Sequence, residues 1–309
     1  MSKCVWFVIL VLAFSIIIIG CKSNANAPLT AIPSDDEQIS ELISNEYSDY
    51  FSFADLEEGN AYSGSNTFSI DQLDTSITPS RWGRVIQSDS ISHTFRLDSL
   101  NYNVAYVTMT RTVHGVMRVI YGSPAQTIEK PFVDTYNKKA VFWRIDSTSI
   151  PALSWRLVKV TEIEGRTDGS TLPNIAYATL YRKPRNGGIW GSWTQIGLPI
   201  MYPLDYWLTT DSIPTFIGGD SIRVDVTMAN AGHWCGLFHF QPHGAFSNDT
   251  RLPFDSLGSN QFRILGKIPV FQTSIFRRAY IDFMTWGSLY NDNVNSYSAN
   301  VFGVLYKVQ

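Results

Sequence analysis

The chain is poor in cysteine, with three residues, Cys4, Cys21 and Cys235, in a length of 309. Two of them fall in an N-terminal stretch that reads as a leader, so Cys235 is the one free thiol expected in the folded body and a disulfide-stapled fold is excluded. Blocks of basic residues are lacking as well. Lys and Arg total 24 against 27 Asp and Glu, for a formal net charge of −3. Arg277 with Arg278 and Lys138 with Lys139 are isolated pairs, whereas nucleic-acid binding needs clustered cations that displace phosphate counterions. Nucleic acid is therefore not an expected partner. Also missing are a Gly-x-Ser-x-Gly elbow, a phosphate-binding glycine loop, a dinucleotide fingerprint and a His-Glu-x-x-His helix. No catalytic, cofactor or metal residue is assigned, and an active site would have to be assembled from dispersed residues.

Long hydrophobic runs are confined to one. Lys3 supplies a positive start, and Val5 to Ile19 are apolar apart from Ser15, with Gly20 and Cys21 following. This is the pattern of a secretion signal. At about 1.5 Å per helical residue the run spans roughly 22 Å, short of the roughly 30 Å hydrocarbon core that a permanent span must cross. The stretch Ile18, Ile19, Gly20, Cys21 resembles the bacterial lipobox, although leucine and a small residue more often stand where Ile18 and Ile19 do. The resemblance implies cleavage after residue 20, lipidation of Cys21, attachment to the membrane and a place in the bacterial cell envelope. Lys22 and Ser23 follow without an aspartate, which by resemblance to enteric sorting rules favours the outer membrane. Residues 21–33, polar and containing Asn, Ala and Pro, read as a tether.

The body divides in this reading into residues 34–165 and 166–309, at a polar, glycine-containing stretch around Gly165, Asp168 and Gly169. Ser34 and Glu37 form a capping box, and Ile39, Leu42, Ile43, Tyr47 and Tyr50 recur at helical spacing, predicting an amphipathic helix over 35–51. Strands are predicted at 102–113, 116–121, 139–145 and 155–163, with His114 and Gly115 as a hairpin turn. A helix on a curved antiparallel sheet is an α+β layer. The hairpin around Gly115, the strand Lys139 to Arg144 and the strand Trp155, Arg156, Leu157 are similar to the nuclear-transport-factor-like and cystatin-like cone folds, whose members are often binders.

The second part reads as all β. Ile222, Val224, Val226 and Met228 alternate with Ser221, Arg223, Asp225 and Thr227, the period of a half-buried strand. Further strands are expected at 175–181, 234–240, 261–265, 275–286 and 300–308, which suggests a β-sandwich. Val224 to Gly232 is similar to a strand and turn of bacterial immunoglobulin-like domains.

Two constellations carry chemistry-bearing side chains. His233, Cys235, His239 and His243 share one face of an extended strand, but His233 and His239 would lie roughly 20 Å apart at about 3.3 Å per residue, too far to share an ion. The stretch 186–207 concentrates Trp190, Trp193, Tyr206 and Trp207 among glycines and prolines. Such rings either stack on sugar faces and protein partners or fill a core between sheets. The expected function is a lipid-anchored envelope module that binds a protein or glycan or serves a structural role. An envelope hydrolase or glycan-processing enzyme with a dispersed site is the alternative.

Overall fold

The computed structural model describes residues 33–53, 62–63, 79, 81–122, 124–147, 150–169, 173–187, 192–240, 251–268, 270, 275–290 and 295–309. The leader, Cys21 and the tether up to residue 32 lie outside the described residues. Helix α1 (Asp35–Ser44) and the single turn α2 (Ser48–Phe51) open the folded body. The helix expected over 35–51 is thus present but broken at residues 45–47. Ile39, Leu42 and Ile43 are its buried apolar residues, as their spacing requires.

The strands follow as β1 (Tyr62–Ser63), β2 (Arg81–Leu97), β3 (Val104–Tyr121) and β4 (Gln126–Arg144). After the turn α3 (Pro151–Ser154) come β5 (Trp155–Thr161), β6 (Ile163–Thr167), β7 (Ile175–Lys183) and β8 (Thr194–Ile200). Then come β9 (Trp207–Thr209), β10 (Thr215–Phe216), β11 (Ser221–Met228), β12 (Trp234–Phe240) and β13 (Arg251–Pro253). The chain closes with β14 (Asp255–Gly258), β15 (Gln261–Lys267), β16 (Ile275–Thr285) and β17 (Ala299–Val308). They form a 12-stranded sheet whose main path is β1-β2-β3-β4-β6-β17-β16-β12-β13, and a 5-stranded sheet ordered β14-β15-β11-β7-β8. Among the described residues, all strand pairings are antiparallel except that of β10 with β17.

This architecture corrects the expected fold class. The first part is not a helix-on-sheet α+β domain, because β2, β3 and β4 run for 17, 18 and 19 residues. At about 3.3 Å per residue each exceeds 50 Å, and a 10-residue helix of about 15 Å cannot cover them. The large sheet instead curls so that the inner faces of β2, β3 and β4 meet β16 and β17. Trp82, Val107, Met117, Phe142, Tyr280 and Leu305 belong to the resulting core. Helices α1 and α2 cover only part of it, where Tyr47 and Phe51 pack on the Phe142 ring.

A second core lies on the opposite face of β12, β16 and β17, where the small sheet packs. Val224 and Ile264 of the small sheet meet Phe238, Ile281, Phe283 and Val304 of the large one. A sandwich is present, but one of its layers is continuous with β4 through β6, so it is not a separate immunoglobulin-like domain appended to an α+β one. The boundary expected between residues 165 and 166 falls inside β6, which is hydrogen-bonded to β4 on one side and β17 on the other. Residues Asp36–Gln309 form one compact unit.

Gly115 is not a turn residue. It lies mid-strand in β3, where a Cβ would come within 2.6 Å of the Val85 carbonyl oxygen and 2.7 Å of the Phe132 ring, so glycine permits close packing at this point. The hairpin turn comes after Tyr121, where Gly122 has φ of +66°.

Closure of the curled sheet is pinned by Arg84 of β2, whose guanidinium lies 2.7 and 2.9 Å from the two carboxylate oxygens of Asp282 on β16. Both side chains are almost fully buried. Arg84 Nε also donates to the Tyr297 hydroxyl at 2.5 Å. Arg84→Met should cost about 3–5 kcal/mol in denaturant unfolding, because it strands a buried carboxylate. Arg84→Met combined with Asp282→Leu should recover most of that loss. Equal stability of the single variant and the wild type would show that the pair does not hold the closure.

Candidate functional site

The inner row of β4 is Lys130, Phe132, Asp134, Tyr136, Lys138, Ala140 and Phe142, all buried. Strand periodicity puts three ionisable residues on a face otherwise made of apolar and aromatic groups, and β2 and β16 add Arg84, Arg278 and Asp282. Several of the buried cations meet backbone carbonyls. Lys130 Nζ donates to the Gly287 carbonyl at 2.6 Å. Arg111 donates to the Phe53 carbonyl at 2.7 Å and pairs with Asp89 at 2.9 Å. Arg278 donates to the carbonyls of Ser52 and Asp49 at the end of α2, where a cation complements the helix C-terminus.

Two buried carboxylates lie around Arg84. Asp134 accepts from the Tyr136 hydroxyl at 3.1 Å and the Tyr297 hydroxyl at 3.3 Å. Burial pushes its carboxyl above the ordinary range, with Arg84 opposing. Burial acts upward on Asp282 as well, but Arg84 and His239, the latter at 3.3 Å, outweigh it and leave Asp282 below its ordinary value. Such a split between neighbouring carboxyls is what acid–base catalysis uses. Here, however, both groups are about 1 % exposed and already hydrogen-bonded, and a catalytic pair must also reach a substrate.

A second buried cluster joins Lys138, Glu162 and Arg278. Glu162 stands between β5 and β6, where Leu305 of β17 donates its backbone N–H to the carboxylate at 2.8 Å. The side chain thus closes a gap in the ladder. Burial, partly offset by Lys138, pushes the Glu162 carboxyl up to about 7. Burial, together with Arg278, holds the Lys138 amine well below its ordinary value.

Among the described residues, three cavities open at the surface. One of about 570 Å³ is bordered by polar groups including Glu164, Arg166, Asn174 and Asn230. One of about 350 Å³ lies near His114, Thr167 and Tyr297. The third, about 510 Å³, is a groove between the α1–α2 segment and the inner faces of β2 and β3. Ile43, Phe51, Phe53, Ile91 and Met109 supply its apolar wall, and Asp89, His93 and Arg111 converge on it. None of the three is lined by Asp134 or Asp282. A concave apolar site with a few placed polar groups is the form most ligand sites take, so the groove is the candidate site.

The aromatic residues singled out in the sequence are not gathered into one platform. Trp190 lies outside the described residues. Trp193 is half-buried beside Arg223, whose guanidinium lies 5.5 Å from its ring and 3.8 Å from that of Tyr181. Tyr206 is half-buried against both cores, with its hydroxyl over Gly197, while Trp207 is 37 % exposed on β9. The His/Cys set is also dispersed: His233 is exposed, Cys235 lies in the inner core, His239 is committed to Asp282, and His243 lies outside the described residues. Trp234 and Phe238 face the sandwich core and Cys235 and Leu237 the inner one, so β12 is buried on both faces. The groove was not anticipated, because its strand β2 is mostly polar. Comparison of the chain with protein-family models and with curated proteins finds no match.

The shift at Glu162 has a definite consequence. Between its ordinary value of 4.5 and about 7, the folded carboxyl holds a proton that the unfolded one has released. The folded state then binds more protons, so this group makes stability fall as pH rises through that window. Glu162→Gln keeps a carbonyl acceptor for Leu305 but cannot titrate. Urea midpoints from pH 4.5 to 7.5 should show the variant gaining on the wild type as pH rises, and parallel curves would contradict the assignment.

Proposed function

We propose that the chain is a lipid-anchored binding protein of the bacterial cell envelope, and that it takes its protein or glycan ligand at the groove between α1–α2 and β2–β3. The observation that carries the reading is the groove itself, with its apolar wall and the convergence of Asp89, His93 and Arg111. Its shape is held by buried contacts, since Arg111 bonds both Asp89 on one wall and the Phe53 carbonyl on the other. A site braced in this way binds without first having to order its walls. The anchoring part of the reading rests on Lys3, the apolar run from Val5 to Ile19, and Gly20 preceding Cys21. Acyl chains on Cys21 would hold the protein at a membrane, at about 0.8 kcal/mol per buried methylene. Burial of Asp134 and Asp282, neither of which lines the groove, favours binding over hydrolysis.

Cys21→Ala should leave the protein either unprocessed or released from the membrane fraction. Its full processing with retention on the membrane would contradict lipid anchoring. Ser48, exposed at the groove margin, can be enlarged without entering the core. Ser48→Trp should leave the melting temperature within about 1–2 °C of wild type, as surface changes do. It should abolish adducts formed by crosslinking from the groove in intact envelopes. An unchanged adduct pattern would place the ligand site elsewhere.

A further inference from the structure

We propose that two copies of this chain pair through the outer edge of β2, as antiparallel strands related by a twofold axis at Ile91. Which backbone groups face that edge follows from the register. Asp98 N–H donates to the Val104 carbonyl, and β2 pairs with β3 in unbroken register from Ser88 to Leu97. Hydrogen-bonded pairs alternate along an antiparallel ladder, so Ser90, Ser92 and Thr94 bond to β3 while Asp89, Ile91 and His93 turn their N–H and C=O outward. Among the described residues, only β1 pairs with this edge, and it does so at Arg81 and Trp82. The stretch Gln87 to Thr94 is exposed on both faces. It contains no proline, lysine or arginine, the residues with which edges are commonly blocked.

The sequence of this edge is self-complementary about Ile91. Antiparallel pairing of two copies sets Ile91 against Ile91, and Asp89 of each copy against His93 of the other, all as hydrogen-bonded pairs. On the opposite face Ser90 meets Ser92 and Ser88 meets Thr94, small hydroxyl residues suited to the closer approach of non-hydrogen-bonded pairs. Ile91, 51 % exposed, would be covered by its own counterpart. Asp89 keeps 41 % of its side chain exposed while bonded to Arg111, which leaves it able to accept from an imidazole. A one-residue slip would lose both the carboxylate–imidazole pairs and the isoleucine contact, so the register is specified. The dimer does not depend on the groove having a ligand. If both exist, the shared strand sets two grooves side by side.

The test is thiol crosslinking of Ile91→Cys in cells expressing the full chain, with Leu257→Cys on exposed β14 as the control. A short bifunctional maleimide should give a covalent homodimer from the first and little from the second. Ile91→Pro together with a cysteine at Ser92 should lose the dimer while keeping its melting temperature, since the N–H removed points away from β3. His93→Asp sets carboxylates opposite each other and should weaken self-association roughly tenfold, and mixing it with Asp89→Lys should restore pairing. Three results would overturn the proposal: no homodimer from an Ile91→Cys thiol that a monofunctional maleimide labels, equal crosslinking by the control, or capture of a different protein in place of a second copy.

Discussion

The Arg84–Asp282 pair is the constraint around which the molecule is arranged. Two strands far apart in the sequence, one near the start of the folded body and one near its end, are brought together across the interior of one curled sheet. Apolar contact alone would favour closure without choosing a register. A buried ion pair does choose, because sliding either strand strands a charge away from water. Asp134, Tyr136, Tyr297 and His239 then complete the surroundings of the pair, and their mutual hydrogen bonds make the network costly to leave half satisfied.

The other buried charges have a different task. A curled sheet pairs its own backbone, and the segments that cover its open parts are short turns held to it by side chains. Lys130, Arg111 and Arg278 reach from the sheet's inner face to the carbonyls of Gly287, Phe53, Ser52 and Asp49. These three buried cations therefore tie the backbone of the covering segments to the sheet. The groove is a by-product of the same device. Arg111 ties the α2 segment to β3, and the space left beside that tie, walled by β2, is the groove.

That arrangement also separates chemistry from access. Asp134, Asp282 and Glu162 lie in the sealed interior, whereas the groove carries the Asp89–Arg111 pair, His93, serines and apolar side chains. This arrangement also leaves the outer edge of β2 beside the groove, so recognition and self-association would draw on the same strand.

Much of the C-terminal half was legible in the sequence. Strict alternation from Ser221 to Met228 marks β11, and the alternation or apolar density of 234–240, 275–286 and 300–308 marks β12, β16 and β17. The amphipathic spacing of Ile39, Leu42 and Ile43 marks α1. The groove was hidden because the strand that walls it, with Ser88, Asp89, Ser90, Ser92 and His93, lacks the apolar alternation by which strands are recognised. The inner charges were legible in principle, since Lys130, Asp134 and Lys138 share parity with Phe132, Tyr136 and Phe142 once β4 is taken as a single strand. Dividing the hairpin at Gly115 obscured that parity. Local pattern, then, determined α1 and the strongly apolar strands and the faces they bury, though not β2 or the course of β3 through Gly115, because it depends on neighbours within a few residues. How one sheet curls on itself, which distant charge answers Arg84, and that the two halves share β6 were decided by the tertiary structure, because they depend on pairings between residues more than a hundred positions apart.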